Sequence, residues 1–451
     1  MVGFVEKKTP VSVVPRTSVL ERDKKGMPLW DTSSRILALV GDNAIVAKKD
    51  TSPQDLKHLF VVILPEDGPD CSACGETLVR VDSNRVVMRV EPEKVNGLLS
   101  ALHAMKGARC GLLGALPEVP IVPALPEPPS PWIGVEAKLD YIKHAMKGIK
   151  PSALESVIQT LCSMGTRVHD TPKGQTAGDK VEAFYKSTRN LAHQAKVRLI
   201  SHKDTKQESV IVTIPGTVAP GETVVLGCHI DSWNAASSHD NPAPGADDDA
   251  SGVACLVAVF NALMKLGPPA RTIELHGYAA EEVGRTGSKD IASCYRVQAR
   301  NVVAMLQLDM VLYPPCPGEE KVLWFVRQDT NETLRQQLSA LGATYLETTS
   351  QEIDDVLGSS DHASWFALNY PTVWPFEHPS NGNLHGAGDT LESLGNQKKE
   401  ALQRALLHAR LALAFAAHFG GVSAPPATPP RRRGGASNGG LSRKKANGRK
   451  G

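Results

Sequence analysis

Acidic residues and histidines recur directly after apolar segments in the second half of this chain. His229 follows the apolar run 224–226, and Asp248 lies within three consecutive aspartates, 247–249. Open α/β sheets collect their chemistry at the carboxyl ends of strands, so we expect these side chains to meet at one sheet edge. Adjacent aspartates repel one another, and the stretch 232–264 contains no lysine or arginine to offset them. A divalent metal ion is the simplest counter-charge.

The same residue types follow three later segments. A glutamate pair, 281–282, follows one apolar run, Asp309 follows the next, and His385 stands in a glycine-rich stretch. Two imidazoles and three carboxylates suit zinc-type ions, and two ions ~3.5–4 Å apart would use five such groups. One of the adjacent glutamates can bind metal while the other acts as a general base. Taken singly, each carboxylate could equally be a helix cap or a surface charge.

The composition is that of a soluble globular protein. The chain has 451 residues, of which 41% are hydrophobic and 22% charged, and its formal net charge is +2. No segment approaches the ~20 apolar residues that cross a bilayer, and the charge is too small to indicate nucleic-acid binding by the folded body. The N-terminus lacks the apolar core of a secretory signal, and only Cys71 and Cys74 of the eight cysteines have paired spacing. We therefore expect a cytoplasmic protein with free thiols that does not bind membranes.

Composition shifts divide the chain into five predicted segments. Prolines are frequent in 117–131, which indicates a stiff linker and the clearest domain boundary. The preceding segment combines strand patterns with a helical pattern at 95–102. Basic clusters at 431–433 and 443–445 could bind polyanions or an import receptor, or could simply be solvated. The full division is an N-terminal arm (1–34), an α+β domain (35–116), the linker (117–131), an α/β domain (132–421) and a disordered basic tail (422–451).

The segment 132–421 alternates strand and helix patterns. Helical patterns at 151–164 and 177–196 come first, and the final helix spans about 397–418. The alternation between them predicts a three-layer α/β sandwich with a mixed, mostly parallel central sheet. Two adjacent strand patterns early in the segment allow an antiparallel edge. The other predictions are strands at 210–214, 224–226, 272–278, 302–308, 322–326 and 372–376, and helices at 250–266, 288–297 and 332–341.

Six motifs in this segment resemble those of the M28 zinc aminopeptidases, and most closely the bacterial leucyl aminopeptidases of the Aeromonas/Vibrio type. They occur in the family's order and extend over about 151–418. The segment 35–116 resembles, more faintly, the N-terminal propeptide of those enzymes. The motifs are GCHIDS (227–232), APGADDDASG (243–252), AAEEVG (279–284), LQLDM (306–310), SDHASW (360–365) and LH followed by DTL (384–391).

The resemblance implies the zinc exopeptidase fold, aminopeptidase activity on peptides and two zinc ions per subunit. The ligands of one ion would be His229, Asp248 and Asp309. The ligands of the other would be Asp248, Glu282 and His385. Asp248 would therefore bridge the two ions.

The resemblance also implies roles for residues around the ligands. Glu281 would be the general base that moves a proton from the attacking water to the leaving amine. Asp231 would orient the ring of His229, and the peptide bond between Asp248 and Asp249 would be cis. An apolar pocket for the substrate side chain would be lined by Met310, Phe376 and Leu384. Each of these three could equally belong to the core.

The sequence departs from the family's pattern at two places beside the site. The stretch 355–360 lacks two cysteines and a tyrosine of the family's active-site loop, and Arg285 and Thr286 replace the usual Leu-Arg. These changes leave the preferred N-terminal residue open, although we expect it to be apolar. The alternatives are a carboxypeptidase or a glutaminyl cyclase on the same fold, or a non-catalytic peptide-binding relative. Five intact ligands disfavour both the cyclase and the non-catalytic relative. A glutamate-directed carboxypeptidase would need clustered arginines, and these are absent from the sequence.

Overall fold

The computed structural model describes residues 140–188, 192–236, 241–353 and 359–425, together with the backbone of short strands between residues 4 and 115. The predicted helix at 95–102, the proline-rich linker and the basic tail beyond residue 425 lie outside the described residues. Among the helices that the structure describes, none combines the length and the apolar character needed to cross a bilayer.

The strands described before residue 116 form two antiparallel sheets. The first sheet contains β1 (Phe4–Glu6), β2 (Val13–Val14), β3 (Ile36–Val40) and β4 (Asn43–Ala47), in the order β1-β4-β3-β2. The second contains β5 (Leu59–Ile63), β6 (Glu76–Arg80), β7 (Arg85–Arg89) and β8 (Leu113–Ala115), in the order β6-β7-β5-β8. The first sheet draws β1 and β2 from the expected N-terminal arm and β3 and β4 from the next predicted segment.

The remaining elements alternate along the chain as the sequence predicts. In chain order they are α1 (Asp140–Gly148), α2 (Pro151–Cys162), α3 (Ala177–Lys186), β9 (Lys196–Ile200), β10 (Ser209–Ile214), β11 (Ala219–His229), α4 (Ala250–Leu263), β12 (Arg271–Tyr278), α5 (Thr286–Val297), β13 (Asn301–Gln307), β14 (Val322–Val326), α6 (Glu332–Leu346), β15 (Thr349–Ile353), α7 (His362–Phe366), β16 (Thr372–Val373), β17 (Pro375–Phe376) and α8 (Lys398–Gly420).

A mixed sheet of six strands lies at the centre, in the order β16-β13-β11-β12-β10-β9. The strands β16, β13, β11 and β12 are parallel, whereas β10 and β9 are antiparallel and form one edge. A smaller sheet, β15-β14-β17, accompanies it. The predicted mostly parallel sheet with an antiparallel edge is confirmed.

Both faces of the central sheet are covered, which gives the predicted three layers. Along β11, Val224, Leu226 and Cys228 join the core formed with α2, α4 and α8, whereas Val225 joins the opposite core with α5 and α7. Strands buried on both faces read as continuous apolar runs, and this is why the pattern of β11 was visible in the sequence.

Several boundaries differ from the predictions for local reasons. The strand predicted at 224–226 in fact begins at Ala219. The prediction missed its first residues because they are exposed or only partly buried and show no apolar pattern. The helix predicted at 177–196 ends at Lys186, and the residues from Lys196 form the edge strand β9. The strand predicted at 372–376 is split at Trp374, which joins β16 of the central sheet to β17 of the small sheet.

An ion pair between a buried glutamate and a partly exposed arginine holds the antiparallel edge of the sheet to α5 and the residues that follow it. Glu274 of β12 is 1% exposed and accepts hydrogen bonds from Thr213 at 3.0 Å and Tyr295 at 2.7 Å. Arg300 Nη2 lies 3.2 Å from Glu274 Oε1. Burial alone would raise the pKa of this carboxyl, but the hydrogen bond from His276 and the charge of Arg300 lower the pKa of Glu274 to about 2.

We predict that Glu274→Gln destabilises the fold in a pH-dependent way. The pKa of Glu274 is depressed in the folded protein, so its stabilisation is present above the unfolded pKa of ~4.3 and is lost as pH falls toward 2. At pH 7 the variant should lose about 3 kcal/mol of unfolding free energy, measured by urea unfolding. The difference from the parent protein should shrink between pH 4.5 and 2. Glu347→Gln, at a side chain that is 77% exposed, is the matched control. A difference independent of pH would contradict this account.

Candidate metal centre

The first cluster of candidate ligands forms around His229, the last residue of β11. Its imidazole is fully buried, and Nε2 lies 2.8 Å from Asp248 Oδ1 and 3.7 Å from Asp309 Oδ1. Its Nδ1 faces Asp231, whose Oδ1 lies 3.3 Å away. The parallel neighbours β11 and β13 end at the same sheet edge, so His229 and Asp309 emerge together.

The second cluster shares Asp248 with the first. Asp248 Oδ2 lies 2.9 Å from His385 Nε2, and the same nitrogen lies 3.0 Å from Glu282 Oε2. In each trio the ligand atoms lie within 4.8 Å of one another, and all the side chains are buried. The structure thus brings together the five residues that the sequence singled out as ligands.

The donor atoms of both clusters fit a metal ion. Within the described residues, both carboxylate oxygens of Asp248 and of Glu282 are buried without a hydrogen bond, as is His229 Nε2. Buried carboxylates without compensation are costly. Atoms bound ~2.0–2.2 Å from one ion lie about 3–3.5 Å apart, close to the spacings of 2.8–3.0 Å seen here. Histidine and carboxylate donors together are the set that Zn²⁺ accepts.

Glu281 lies directly before the candidate ligand Glu282, in a turn held by Asp231. The backbone N–H groups of Glu281 and Glu282 donate to the two oxygens of Asp231 at 3.0 and 3.1 Å. Asp231 therefore fixes both the imidazole of His229 and the turn with the glutamates. Both oxygens of Glu281 are buried and make no hydrogen bond in the described part of the chain. Burial raises the pKa of Glu281 well above its ordinary value, which suits a group that exchanges protons.

The three consecutive aspartates have different partners. Asp248 takes part in both clusters. Asp249 begins α4 by accepting from Gly252 N at 2.8 Å, and its other oxygen accepts from His229 N at 3.0 Å. Asp247 accepts a backbone N–H from the segment after β13 at 3.0 Å. The peptide bond between Asp248 and Asp249 is cis, as the resemblance implies. A run of like charges is tolerated because only one of the three faces the metal clusters.

Comparisons with known proteins agree with this geometry. The sequence model of the family described as peptidase family M28 matches residues 209–410 of this chain. Leucine aminopeptidase 1 of Metarhizium robertsii is 31% identical over 294 residues, which cover 62% of this chain and 72% of that protein. The chain belongs to peptidase family M28. The family predicted from the motifs is confirmed.

Other relatives of this M28 chain include fungal and bacterial proteins. Leucine aminopeptidase 1 of Coccidioides posadasii is 34% identical over 249 residues, or 53% of this chain, and the chain spans 62% of that relative's length. The solved structures of LapA aminopeptidase and LapB, both from Legionella pneumophila, have TM-scores of 0.64 and 0.65 at 19% and 21% identity. Each match covers 80% of this chain, and the matches cover 98% and 99% of the two solved chains. They confirm the α/β fold with its mostly parallel central sheet.

A buried arginine that the sequence analysis missed supports the aspartate loop of this M28 chain. Arg167 is fully buried and donates to Ile230 O at 3.0 Å, Pro244 O at 2.5 Å and Gly245 O at 2.9 Å. Its guanidinium therefore ties the end of β11 to the start of the aspartate loop. Gly245 has φ +52°, and a Cβ there would lie 2.3 Å from Asp248 O. A single arginine between two helices carries no periodic signal, so this role could not be predicted from the sequence.

Asp389 joins the loops that carry Asp248 and His385. Its side chain accepts from the backbone N–H groups of Asp247 at 3.0 Å and Asp248 at 3.1 Å, and its backbone carbonyl accepts from Ala246 N at 3.0 Å. It follows His385 by four residues, so it fixes the spacing between ligands from distant parts of the chain. Asp389 is visible in the sequence as part of the DTL motif, but its role depends on tertiary contacts.

The predicted pocket residues lie beside the first cluster. Met310 and Phe376 are fully buried and pack with Val326 and Trp374, and Leu384 packs against this group while partly exposed. Trp374 Nε1 donates to the carbonyl of Asp309 at 3.2 Å, which places the group directly behind a candidate ligand. We refer to Met310, Val326, Trp374, Phe376 and Leu384 as the apolar cluster. Of these five side chains only Leu384 is partly exposed, and Met310 and Phe376 lie in the interior of the apolar cluster.

We predict that Asp389→Ala weakens metal binding. The change removes the acceptor of two N–H groups that hold in place the loop of Asp248, the residue shared by both clusters. Supporting groups of this kind typically account for ~10–100-fold in metal affinity, and we expect a loss in that range. Competition with a chromophoric chelator measures it, and the exposed Asp179→Ala on α3 is the control. An affinity equal to that of the parent protein would show that Asp389 does not position the ligand.

Proposed function

We propose that this M28 chain is a metallo-aminopeptidase that holds two zinc ions and releases the N-terminal residue of peptides. The supporting observation is the pair of buried clusters that share Asp248, with Glu281 directly beside the ligand Glu282. A non-catalytic relative has no need for five converging donors. A cyclase that used one ion would leave one cluster without a purpose.

The ligand residues hold and orient the ions. His229, Asp248 and Asp309 would hold one ion. Asp248, Glu282 and His385 would hold the other. When bound, such ions acidify water and polarise a peptide carbonyl. Asp231 Oδ1 lies 3.3 Å from Nδ1 of His229, so Nε2 on the other side of the ring faces the position of the ion.

Glu281 is the proposed general base. Its carboxylate has no hydrogen bond among the described residues, so it is available to a proton on the substrate side. It would accept a proton from the attacking water and deliver that proton to the leaving amine. Its buried position keeps bulk water away from the proton while it is held.

We further propose that the apolar cluster forms the floor of the pocket for the N-terminal side chain. Its position behind Asp309 places it next to the metal clusters. This geometry favours substrates with apolar N-terminal residues. The name leucine aminopeptidase 1, which two fungal relatives carry, supports the same preference.

We predict that activity depends on two metal ions per chain. Removal of metal with a chelator should abolish hydrolysis of a leucine coumarin amide, because the buried donors alone cannot polarise the carbonyl. Zn²⁺ should restore the hydrolysis, and elemental analysis of the active protein should give about two ions per chain. Hydrolysis that resists the chelator, or full activity with a single ion, would refute the proposal.

We predict separate effects for the two adjacent glutamates. Glu281→Gln should lower kcat by ~10²–10⁴-fold and keep the metal content, because it removes the proton carrier but no ligand. Glu282→Gln should lower metal content as well as rate, since it removes a ligand. Steady-state kinetics and elemental analysis on the same preparations distinguish the two. Loss of metal from Glu281→Gln would show that the assigned roles are wrong.

A further inference from the structure

Two cationic side chains stand at the start of α5, beside the proposed general base. Arg285 immediately precedes the helix, and Lys289 follows it by four residues, with Lys289 N donating to Arg285 O at 3.0 Å. Residues four apart share one face of a helix, so the two side chains are neighbours. Arg285 N in turn donates to Glu281 O at 2.7 Å, which ties this helix start to the glutamate turn.

Both cations carry buried N–H groups without an acceptor. In the part of the chain that the structure describes, Lys289 Nζ and Arg285 Nε are inaccessible to solvent and make no hydrogen bond. Arg285 Nη1 donates to Ser359 Oγ at 2.6 Å, which fixes the guanidinium and leaves Nε unused. Buried charges normally have partners, because an unpaired one costs several kcal/mol. Two such groups side by side form a site for an anion.

The acidic groups nearby do not accept hydrogen bonds from the unpaired N–H groups of Lys289 and Arg285. The charges that act on Lys289 are those of Arg285, Glu281 and Asp361. Neither Glu281 nor Asp361 is hydrogen-bonded to Lys289, and burial raises the pKa of Asp361 to about 7. Burial and the neighbouring guanidinium lower the pKa of Lys289 well below its ordinary value. A carboxylate placed between the two cations would offset both effects.

The cations adjoin the proposed pocket. Ser360, next to the partner of Arg285, donates to Asp309 Oδ2 at 2.5 Å. The ring of His362 lies 4.7 Å from that of Trp374 in the apolar cluster. Arg285 is thus connected through Ser359 and Ser360 to the candidate ligand Asp309, behind which the apolar cluster lies. A side chain with a short aliphatic stem and a terminal carboxylate matches both the apolar cluster and the cations, and glutamate has that form.

We propose that Arg285 and Lys289 bind the side-chain carboxylate of an N-terminal glutamate, so that the pocket accepts glutamate as well as apolar residues. This inference rests on the proposed aminopeptidase function. An arginine can hold a carboxylate through paired N–H donors, and the ammonium of Lys289 adds a second charge. A site built to bind a charged group rejects the uncharged isostere, because its own buried groups are then left unpaired.

The test compares glutamate with its uncharged isostere, glutamine. Coumarin amides of Glu, Gln and Leu contain no C-terminal carboxylate, so any effect of charge comes from the side chain. The parent protein should show kcat/KM for Glu at least ~10-fold above that for Gln. Lys289→Met and Arg285→Gln should each reduce this ratio to about threefold or less, with a smaller effect on Leu than on Glu. The surface variant Lys186→Met, at a side chain that is 56% exposed, should keep the ratio of the parent protein.

Every other outcome overturns either this inference alone or the proposed function with it. Equal hydrolysis of Glu and Gln by the parent protein overturns the inference even if a variant fails to fold. A ratio that survives both substitutions, in variants whose thermal midpoints match the parent protein, also overturns it. Hydrolysis of the Leu substrate without preference for Glu leaves the proposed function intact and rejects this inference alone. Absence of hydrolysis of all three substrates by the zinc-loaded protein rejects both.

Discussion

The concentration of buried negative charge at one sheet edge is the constraint on which the rest of the structure depends. The buried acidic residues in this region are Asp231, Asp247, Asp248, Asp249, Glu281, Glu282, Asp309, Asp361, Glu377 and Asp389. Burial raises the pKa of Glu282 to about 7 and that of Asp389 to about 6. Without cations, some of these groups hold protons at neutral pH. Divalent ions in the two clusters would remove that need and let the ligands stay ionised.

The acidic residues of this region are of two kinds: some are candidate metal ligands, and others accept hydrogen bonds from the backbone. Asp231, Asp249 and Asp389 each accept backbone N–H groups, so their negative charge is satisfied locally. Asp248 and Glu282 receive no such donors among the described residues, and their oxygens remain available to an ion. Acidic side chains only one or two residues apart therefore differ in function because the backbone turns them toward different partners.

The strand ends explain how far the sequence could predict the site. His229, Glu281 and Asp309 follow buried strands of a parallel sheet, and that topology alone brings them to one edge. His385 lies in a loop without periodicity, so its residue type and glycine-rich surroundings made it a candidate, and the family's motif assigned it to a particular ion. Arg167 could not be predicted, because its three carbonyl partners come from loops that meet only in the folded chain. The edge strand β9 was missed for a related reason: its pattern of partly exposed residues resembles the end of a helix.

In the proposed function, the residues that select the substrate and the residues that hold the metal ions come from different parts of the fold. The candidate ligands come from strand ends and the loops after them, where the sheet fixes the backbone. Arg285 and Lys289 lie one step further along, in the first turns of the helix after β12. The turn bonded to Asp231 separates them from Glu282, whereas the side chain of Arg285 contacts Ser359 and Ser360, and Ser360 donates to the candidate ligand Asp309. Under the proposed specificity, a change in charge at the start of α5 would alter which side chain the pocket accepts.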